Sequence, residues 1–138
     1  MSSSAEAAKP DQVAEEFGFT HDQIIQEFGY DEDVDLDLRD AIEDLIDSDL
    51  EDEDSQEIVD GVIIWHRSDD GDLVDVLQDA IANLDAGGAI WVLTPKAGRN
   101  THVEPAVIME SAELTGLRAM NTLSVAENWT ATRLASRA

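Results

Sequence analysis

An α/β fold with a parallel sheet is predicted by three adjacent observations between Val59 and Lys96. Val59, Val62, Ile63, Ile64 and Trp65 form a short, β-branched apolar run without strict alternation, the pattern of a strand buried on both faces. Leu73, Val76, Leu77, Ala80, Ile81 and Leu84 then recur at helical spacing. They follow Asp69, Asp70 and Asp72, whose carboxylates suit the free N–H groups and positive dipole end of a helix start. Ala89 to Leu93 (AIWVL) is a second buried run, and Gly87 and Gly88 before it are placed to stop the helix in a left-handed conformation. A strand, helix, strand crossover is right-handed in nearly all proteins, so the two strands are expected parallel in one sheet.

Upstream, residues 1–10 (MSSSAEAAKP) read as a loose polar tail and residues 11–138 as one α/β domain. The pattern QVAEEFGF predicts a short helical turn ending near Gly18. Gln23 to Tyr30 (QIIQEFGY) fits a first strand or a short helix, and the strand is preferred. Leu38, Ala41, Ile42, Leu45 and Ile46 keep helical spacing behind Asp35 or Asp37 as cap, which predicts an amphipathic helix with an acidic outer face. Asp47 to Glu57 is the least apolar stretch, and so dense a run of like charge reads as a solvated connector; helix and connector together span 31–58.

Downstream, Thr94 to Val103 is rich in turn formers, and Glu104 to Thr115 reads as a helix with Pro105 in its first turn and Gly116 beyond its end. Arg118 to Ala126 and Trp129 to Ser136 then predict a closing β-hairpin, with Trp91 in the core and Arg133 pairing across strands. At 138 residues the chain can bury a sizeable core without a staple, and it has no cysteine for a disulfide or thiolate site.

The formal net charge is −24, and it is unevenly placed: residues 1–60 carry 22 acids and 2 bases, residues 61–138 carry 10 acids and 6 bases. Such a surface repels phosphate backbones and anionic lipid, which argues against direct nucleic-acid binding and membrane docking and favours a basic protein partner. The plainer reading is solubility alone. With no signal peptide and no apolar run of about 18 residues, a cytoplasmic protein is expected.

Familiar chemistries fail on spacing. Asp31, Asp33, Asp35 and Asp37 alternate like calcium-loop ligands, but the glycine and glutamate positions hold Leu36 and Ile42. His102 and Glu104 spell the H-x-E of zinc deaminases without the cysteine pair that chemistry needs. No G-x-S-x-G elbow or phosphate loop occurs, so no catalytic residue, metal ligand or cofactor is assigned. What remains is placement, since ligands on open α/β sheets bind beyond the carboxyl ends of the strands. Trp65 leads into His66 and Arg67, and Leu93 leads toward Lys96, Arg99 and His102; with Trp129 these form the candidate site for a small anionic ligand. In the alternative, Lys96 and Arg99 pair with the acidic helix and connector, holding them on the sheet. The candidate partner-binding residues are Asp47, Asp49, Glu51, Asp52, Glu53 and Asp54.

GGAIWVLTPKAG, the helix ending in LTGLRAM, and VAENWTATRL carry a resemblance over most of residues 15–135. The last eighty residues or so resemble the final half of a class I methyltransferase-like domain. More closely, the chain is similar to a family of small bacterial proteins, common in actinobacteria, known as a domain of unknown function. The resemblance implies a small three-layer Rossmann-like domain, truncated relative to methyltransferases, with a C-terminal β-hairpin. It implies no activity. Where a methyltransferase would carry a glycine-rich turn after its first strand, this chain reads IIQEFGYDED, with Gly29 alone among Glu27, Asp31, Glu32 and Asp33. The expectation is therefore a non-catalytic cytoplasmic binding or regulatory protein that docks a basic partner through its acidic N-terminal part. The alternative is a small-anion-binding domain or a degenerate methyltransferase-like enzyme.

Overall fold

The computed structural model describes residues 10–136; the expected tail falls outside the described residues except Pro10, which opens the first helix. In chain order the elements are α1 (Pro10–Glu16), β1 (Ile25–Phe28), α2 (Leu36–Ile46), β2 (Val59–Trp65), α3 (Leu73–Ala82), β3 (Leu84–Pro95), α4 (Pro105–Leu114), β4 (Leu117–Ser124) and β5 (Trp129–Ser136). The five strands form one sheet in the order β1-β2-β3-β5-β4. β1, β2 and β3 are parallel, β5 runs antiparallel to β3, and β4 pairs antiparallel with β5 on the outside.

Both faces of the sheet are covered, which is why its central strands read as continuous apolar runs. On one face Ile63, Trp65, Trp91, Leu93 and Trp129 pack with Val13, Phe17, Leu38, Ile42 and Ile46 of α1, α2 and the turn after α1. On the other, Val62, Ile64, Ile90 and Val92 pack with Leu73, Leu77, Ala80, Ile108 and Ala112 of α3 and α4. The alternation along β2 and β3 sends neighbouring residues to opposite layers and gives the three-layer architecture. Asp35 caps α2 by accepting from Leu38 N at 2.9 Å, and Asp72 caps α3 by accepting from Val74 N at 3.0 Å.

The glycines expected to stop α3 lie elsewhere. The helix ends at Ala82, and Leu84, Gly87 and Gly88 belong to β3. The β2–β3 register jumps from Val59↔Leu84 to Gly61↔Ala89, so extra residues of β3 bulge out between them. Gly87 takes φ +84°, and a Cβ on Gly88 would stand 2.7 Å from the Asp60 carbonyl oxygen, so the bulge demands glycine where sequence alone suggested a helix stop.

The acidic connector also departs from a freely solvated loop. Its main chain lies along the edge of β1, with Glu51 N donating to Ile25 O and Glu27 N donating to Glu51 O, each at 2.8 Å. Gln26 Nε2 adds bonds to the carbonyls of Asp52 and Ser55. An edge strand presents unpaired backbone groups, and the connector satisfies them while its carboxylates face outward.

Candidate functional site

At the carboxyl ends of β1 and β2 the dominant group is Arg67, 6% exposed. Its Nε donates to Asp33 Oδ2 at 3.0 Å and its Nη2 to Asp33 Oδ1, a two-pronged pair. Nη1 donates to the carbonyls of Gly29 (2.8 Å) and Trp65 (3.2 Å) and to Asp70 Oδ2 (3.1 Å). The guanidinium also lies 5.3 Å from the Trp129 ring centre, and Trp129 Nε1 donates to the Asp33 carbonyl at 3.2 Å. The hydrogen bond from Arg67 holds the Asp33 carboxyl below the usual carboxylate range. Burial alone would make Arg67 easier to deprotonate, but its bonds to Asp33 and Asp70 outweigh that and keep it charged.

A second buried charge lies one strand away. Glu27 is 6% exposed in β1, where it accepts from Arg39 Nε (2.6 Å), Arg39 Nη2 (2.9 Å) and Trp65 Nε1 (2.8 Å). Arg39 reaches it from α2 with its guanidinium 4.7 Å from the Tyr30 ring centre, and the bond to Glu27 raises the Arg39 pKa further. The two arginines fasten the acidic segment to the sheet.

The six residues expected to form an anion site do not all meet. Arg67 and Trp129 are together, but every nitrogen of Arg67 is engaged by the protein itself. Arg99 is close by: with Asp33, Pro95, Thr101, Asn128 and Trp129 it lines a cleft of about 270 Å³, and it donates to Asn128 Oδ1 through Nε (3.0 Å) and Nη2 (2.8 Å). Lys96 is half-buried and its side chain makes no ion pair among the described residues. The expected pairing of Lys96 and Arg99 with the acidic helix and connector is thus absent there, and Arg39 and Arg67 perform that task. Arg133 sits opposite Trp91 in the ladder and likewise makes no ion pair among the described residues. His102 donates from Nδ1 to Pro95 O at 2.8 Å and stands 3.5 Å from the Glu104 carboxylate, so it braces its own loop.

His66 points away from that group. It lines a separate cleft of about 620 Å³ between the end of β1, residues 53–56 of the connector, and α3. The residue is 5% exposed, and burial pushes the pKa of its ring below the ordinary 6.5, which favours the neutral form at pH 7. Of the expected docking residues, Asp47, Asp49, Asp52, Glu53 and Asp54 are exposed, and Glu51 is half-buried with its carboxylate accepting from Ser55 Oγ. Glu27, Asp33 and Arg39 were not singled out as functional by sequence. Glu27 carried a signal, an acid between Ile25 and Phe28 in an apolar strand, since such a residue is rarely buried without a partner.

Solved structures share this arrangement of strands and helices. The mitomycin 7-O-methyltransferase MmcR superposes with a TM-score of 0.65 at 14% identity, covering 92% of this chain and 52% of that one, so the present chain spans about half its length. A SAM-dependent methyltransferase from Aquifex aeolicus gives 0.59 at 12% identity over 91% of this chain and 88% of that one. The CcbJ methyltransferase from Streptomyces caelestis gives 0.58 at 10% identity over 96% and 97%. At such identities the likeness is one of fold. The residues here do not fit adenosylmethionine at the turn after β1. A Cβ on Gly29 would lie 2.1 Å from the Trp65 carbonyl oxygen, its N–H donates to Glu53 Oε1 at 3.3 Å, and its carbonyl accepts from Arg67 Nη1 at 2.8 Å. Both backbone groups of Gly29 are thus engaged within the protein, and among the described residues no glycine-rich cradle follows β1.

Closer sequence relatives are uncharacterised proteins of Mycobacterium tuberculosis and Mycobacterium bovis, each 46% identical over 121 residues, covering 88% of this chain and 76% of theirs. Residues 14–138 match the family described as Protein of unknown function (DUF3052), and the chain belongs to that family, whose fold in this member is a methyltransferase-like Rossmann domain with a five-stranded sheet.

Proposed function

We propose that the protein is a non-catalytic, cytoplasmic binding or regulatory protein whose acidic helix and connector dock a basic surface of another protein. One observation carries this reading: among the described residues no lysine or arginine pairs with the exposed acids of the segment, because its own arginine is bound to Glu27. Asp37, Asp40 and Asp44 on α2 and Asp47, Asp49, Asp52, Glu53, Asp54 and Glu57 in the connector are exposed, while Arg39 is bound to Glu27. Among the described residues the ion-pair contact to these acids is His21 to Asp47, at 3.7 Å. Tethering of the connector to β1 presents the carboxylates on a held backbone, which lowers the ordering cost of binding. Like charge at this density steers a basic partner and makes the encounter salt-sensitive.

The test is native mass spectrometry of the protein purified gently from its own host at low and at high salt, beside a triple variant, Asp40→Lys, Asp44→Lys and Asp49→Lys. A protein companion present at low salt, lost at high salt and absent from the variant supports docking. A bare monomer throughout, or a companion indifferent to the variant, overturns it. A second reading, a small anion at the sheet end, is favoured by the cleft beside Arg99 with Lys96, which makes no ion pair among the described residues, on the same loop. It predicts a small retained mass that is lost in Lys96→Ala/Arg99→Ala and kept in the triple variant.

A further inference from the structure

Next to the Arg67 latch, the cleft of about 620 Å³ lies within the size range of small-ligand sites, roughly 300–1,000 Å³. Its rim carries Asp31, Glu53, Asp54, Asp70 and Asp79 from three different parts of the chain. Its one arginine is paired with Asp33 and Asp70 and bonded to the Gly29 and Trp65 carbonyls, which leaves the other four rim carboxylates without a cation among the described residues, so the net field inside is negative. Acids alone would attract only a diffuse counter-ion cloud. The second observation is His66, which lines the cleft at 5% exposure, neutral, with no hydrogen-bond or ion-pair partner for its ring among the described residues. The fully enclosed side-chain atom without a partner is Gln26 Oε1; the His66 ring nitrogens are not enclosed in that way, so they open toward the cleft. A buried polar group is normally hydrogen-bonded, and a polar group that enters the cleft can take the place of solvent on these nitrogens. Phe28, Ile64 and Val76 add an apolar wall against which an alkyl stem can lie.

We propose that this cleft binds an aliphatic cation, a primary ammonium or guanidinium on an alkyl stem, with the stem against Phe28, Ile64 and Val76 and the head donating to His66 and the Asp70 and Asp79 carboxylates. Five carboxylates around one internally paired arginine, with one acceptor nitrogen on the neutral His66 ring, favour a ligand that carries several N–H groups and positive charge. Two sources supply this chemistry: a free polyamine, or a lysine or arginine side chain of a partner, and in the second case the proposal rests on the docking reading above.

The full chain is titrated with spermidine and, separately, with an acetylated and amidated Gly-Arg-Gly-Lys-Gly peptide, and followed by NMR of the His66 imidazole and the backbone amides at constant ionic strength. The same titrations are run on His66→Gln, on Asp54→Asn/Asp79→Asn, and on Asp37→Asn/Asp40→Asn, which removes two exposed charges outside the cleft. Saturable shifts centred on His66, Ile64 and Asp79, weakened about tenfold or more by either cleft variant and less than about twofold by the α2 variant, establish the site; such a tenfold change corresponds to about 1.4 kcal/mol. Spermidine alone binding names a free polyamine, and the peptide binding at least as tightly names a partner side chain. Absence of saturation with both probes, or equal weakening by the two double variants, overturns the site. Because the triple variant at Asp40, Asp44 and Asp49 leaves the cleft residues intact, loss of the docking face and loss of the cleft are separately visible.

Discussion

The acidic segment with the end of β2, and the loop after β3, both carry arginines at the same end of the sheet, and the molecule uses them in opposite ways. Arg39, half-buried, is paired with Glu27, and Arg67, buried, is bonded by every nitrogen to Asp33, Asp70 and two carbonyls. Lys96 and Arg99 stand at the surface loop, Arg99 on the amide of Asn128 and Lys96 without an ion pair among the described residues. In a chain with 32 acids and 8 lysines and arginines, positive charge is scarce, and where it is buried shows what the fold most needs held. What is held is the acidic segment: Arg39 ties α2 to the buried Glu27, and the buried Arg67 ties Asp33 to the sheet end, which leaves the remaining acids for the outside.

The largest effect should come from the inner pair. Arg39→Met leaves Glu27 charged, 6% exposed and with Trp65 Nε1 as its remaining side-chain donor, and should cost about 3–5 kcal/mol, read as a lowered urea midpoint. Glu27→Gln/Arg39→Met should recover much of that loss, because the cost is that of an abandoned buried charge rather than of a missing attraction. If the single variant loses less than about 1 kcal/mol, the pair is an ordinary surface bridge and the contrast with Lys96 and Arg99 collapses.

Much of this architecture was written in the sequence. The β-branched run at Val59–Trp65, the helical period from Leu73 and the apolar AIWVL have periods that physical chemistry ties to one structure each, and all three formed as expected. Gly87 and Gly88 misled because a glycine pair permits a helix stop and a β-bulge alike; the choice was made by the approach of Gly88 to the Asp60 carbonyl, a contact between strands. The candidate site was less legible for the same reason. Arg67 and Lys96 follow strand ends as expected, but which cation is consumed depends on Asp33, far away in the chain, reaching across to Arg67. Spacing along one strand cannot reveal a partner on another.

A smaller effect should separate His66 from the acids around it. Burial lowers its folded pKa below the 6.5 of the unfolded chain, Asp70 and Asp72 oppose that shift, and the charge of Arg67 assists it. Below pH 6.5 the unfolded chain takes up the proton first, so stability is full above that value and falls as pH drops toward and through the folded pKa. Asp33 has the same sign in a lower window, since its depressed pKa means stability lost as pH falls below the ordinary carboxylate range near 4. Between about pH 7 and 5 the carboxylates stay mostly ionised, so His66→Gln should flatten the stability profile there and leave the acid limb below it unchanged. An unchanged slope between pH 7 and 5 would mean that the ring is not desolvated.

The smallest effect on stability should be at the loop after β3. Lys96→Ala and Arg99→Ala remove charges that hold no acid of the described chain, so each should shift unfolding by no more than about 0.5 kcal/mol, in contrast to Arg39→Met. Arg99 is the sharper of the two, because its bonds to Asn128 link the loop to the start of β5 beside Trp129. Arg99→Lys keeps the charge but loses the planar two-nitrogen contact with the Asn128 amide. Equal stability of Arg99→Lys and Arg99→Ala would place its value in the contact, and a more stable Arg99→Lys would place it in the charge, which relieves the repulsion of a surface at −24. The second outcome would make the outer arginine a stabiliser acting over distance, and would narrow the difference between the two regions to one of burial alone.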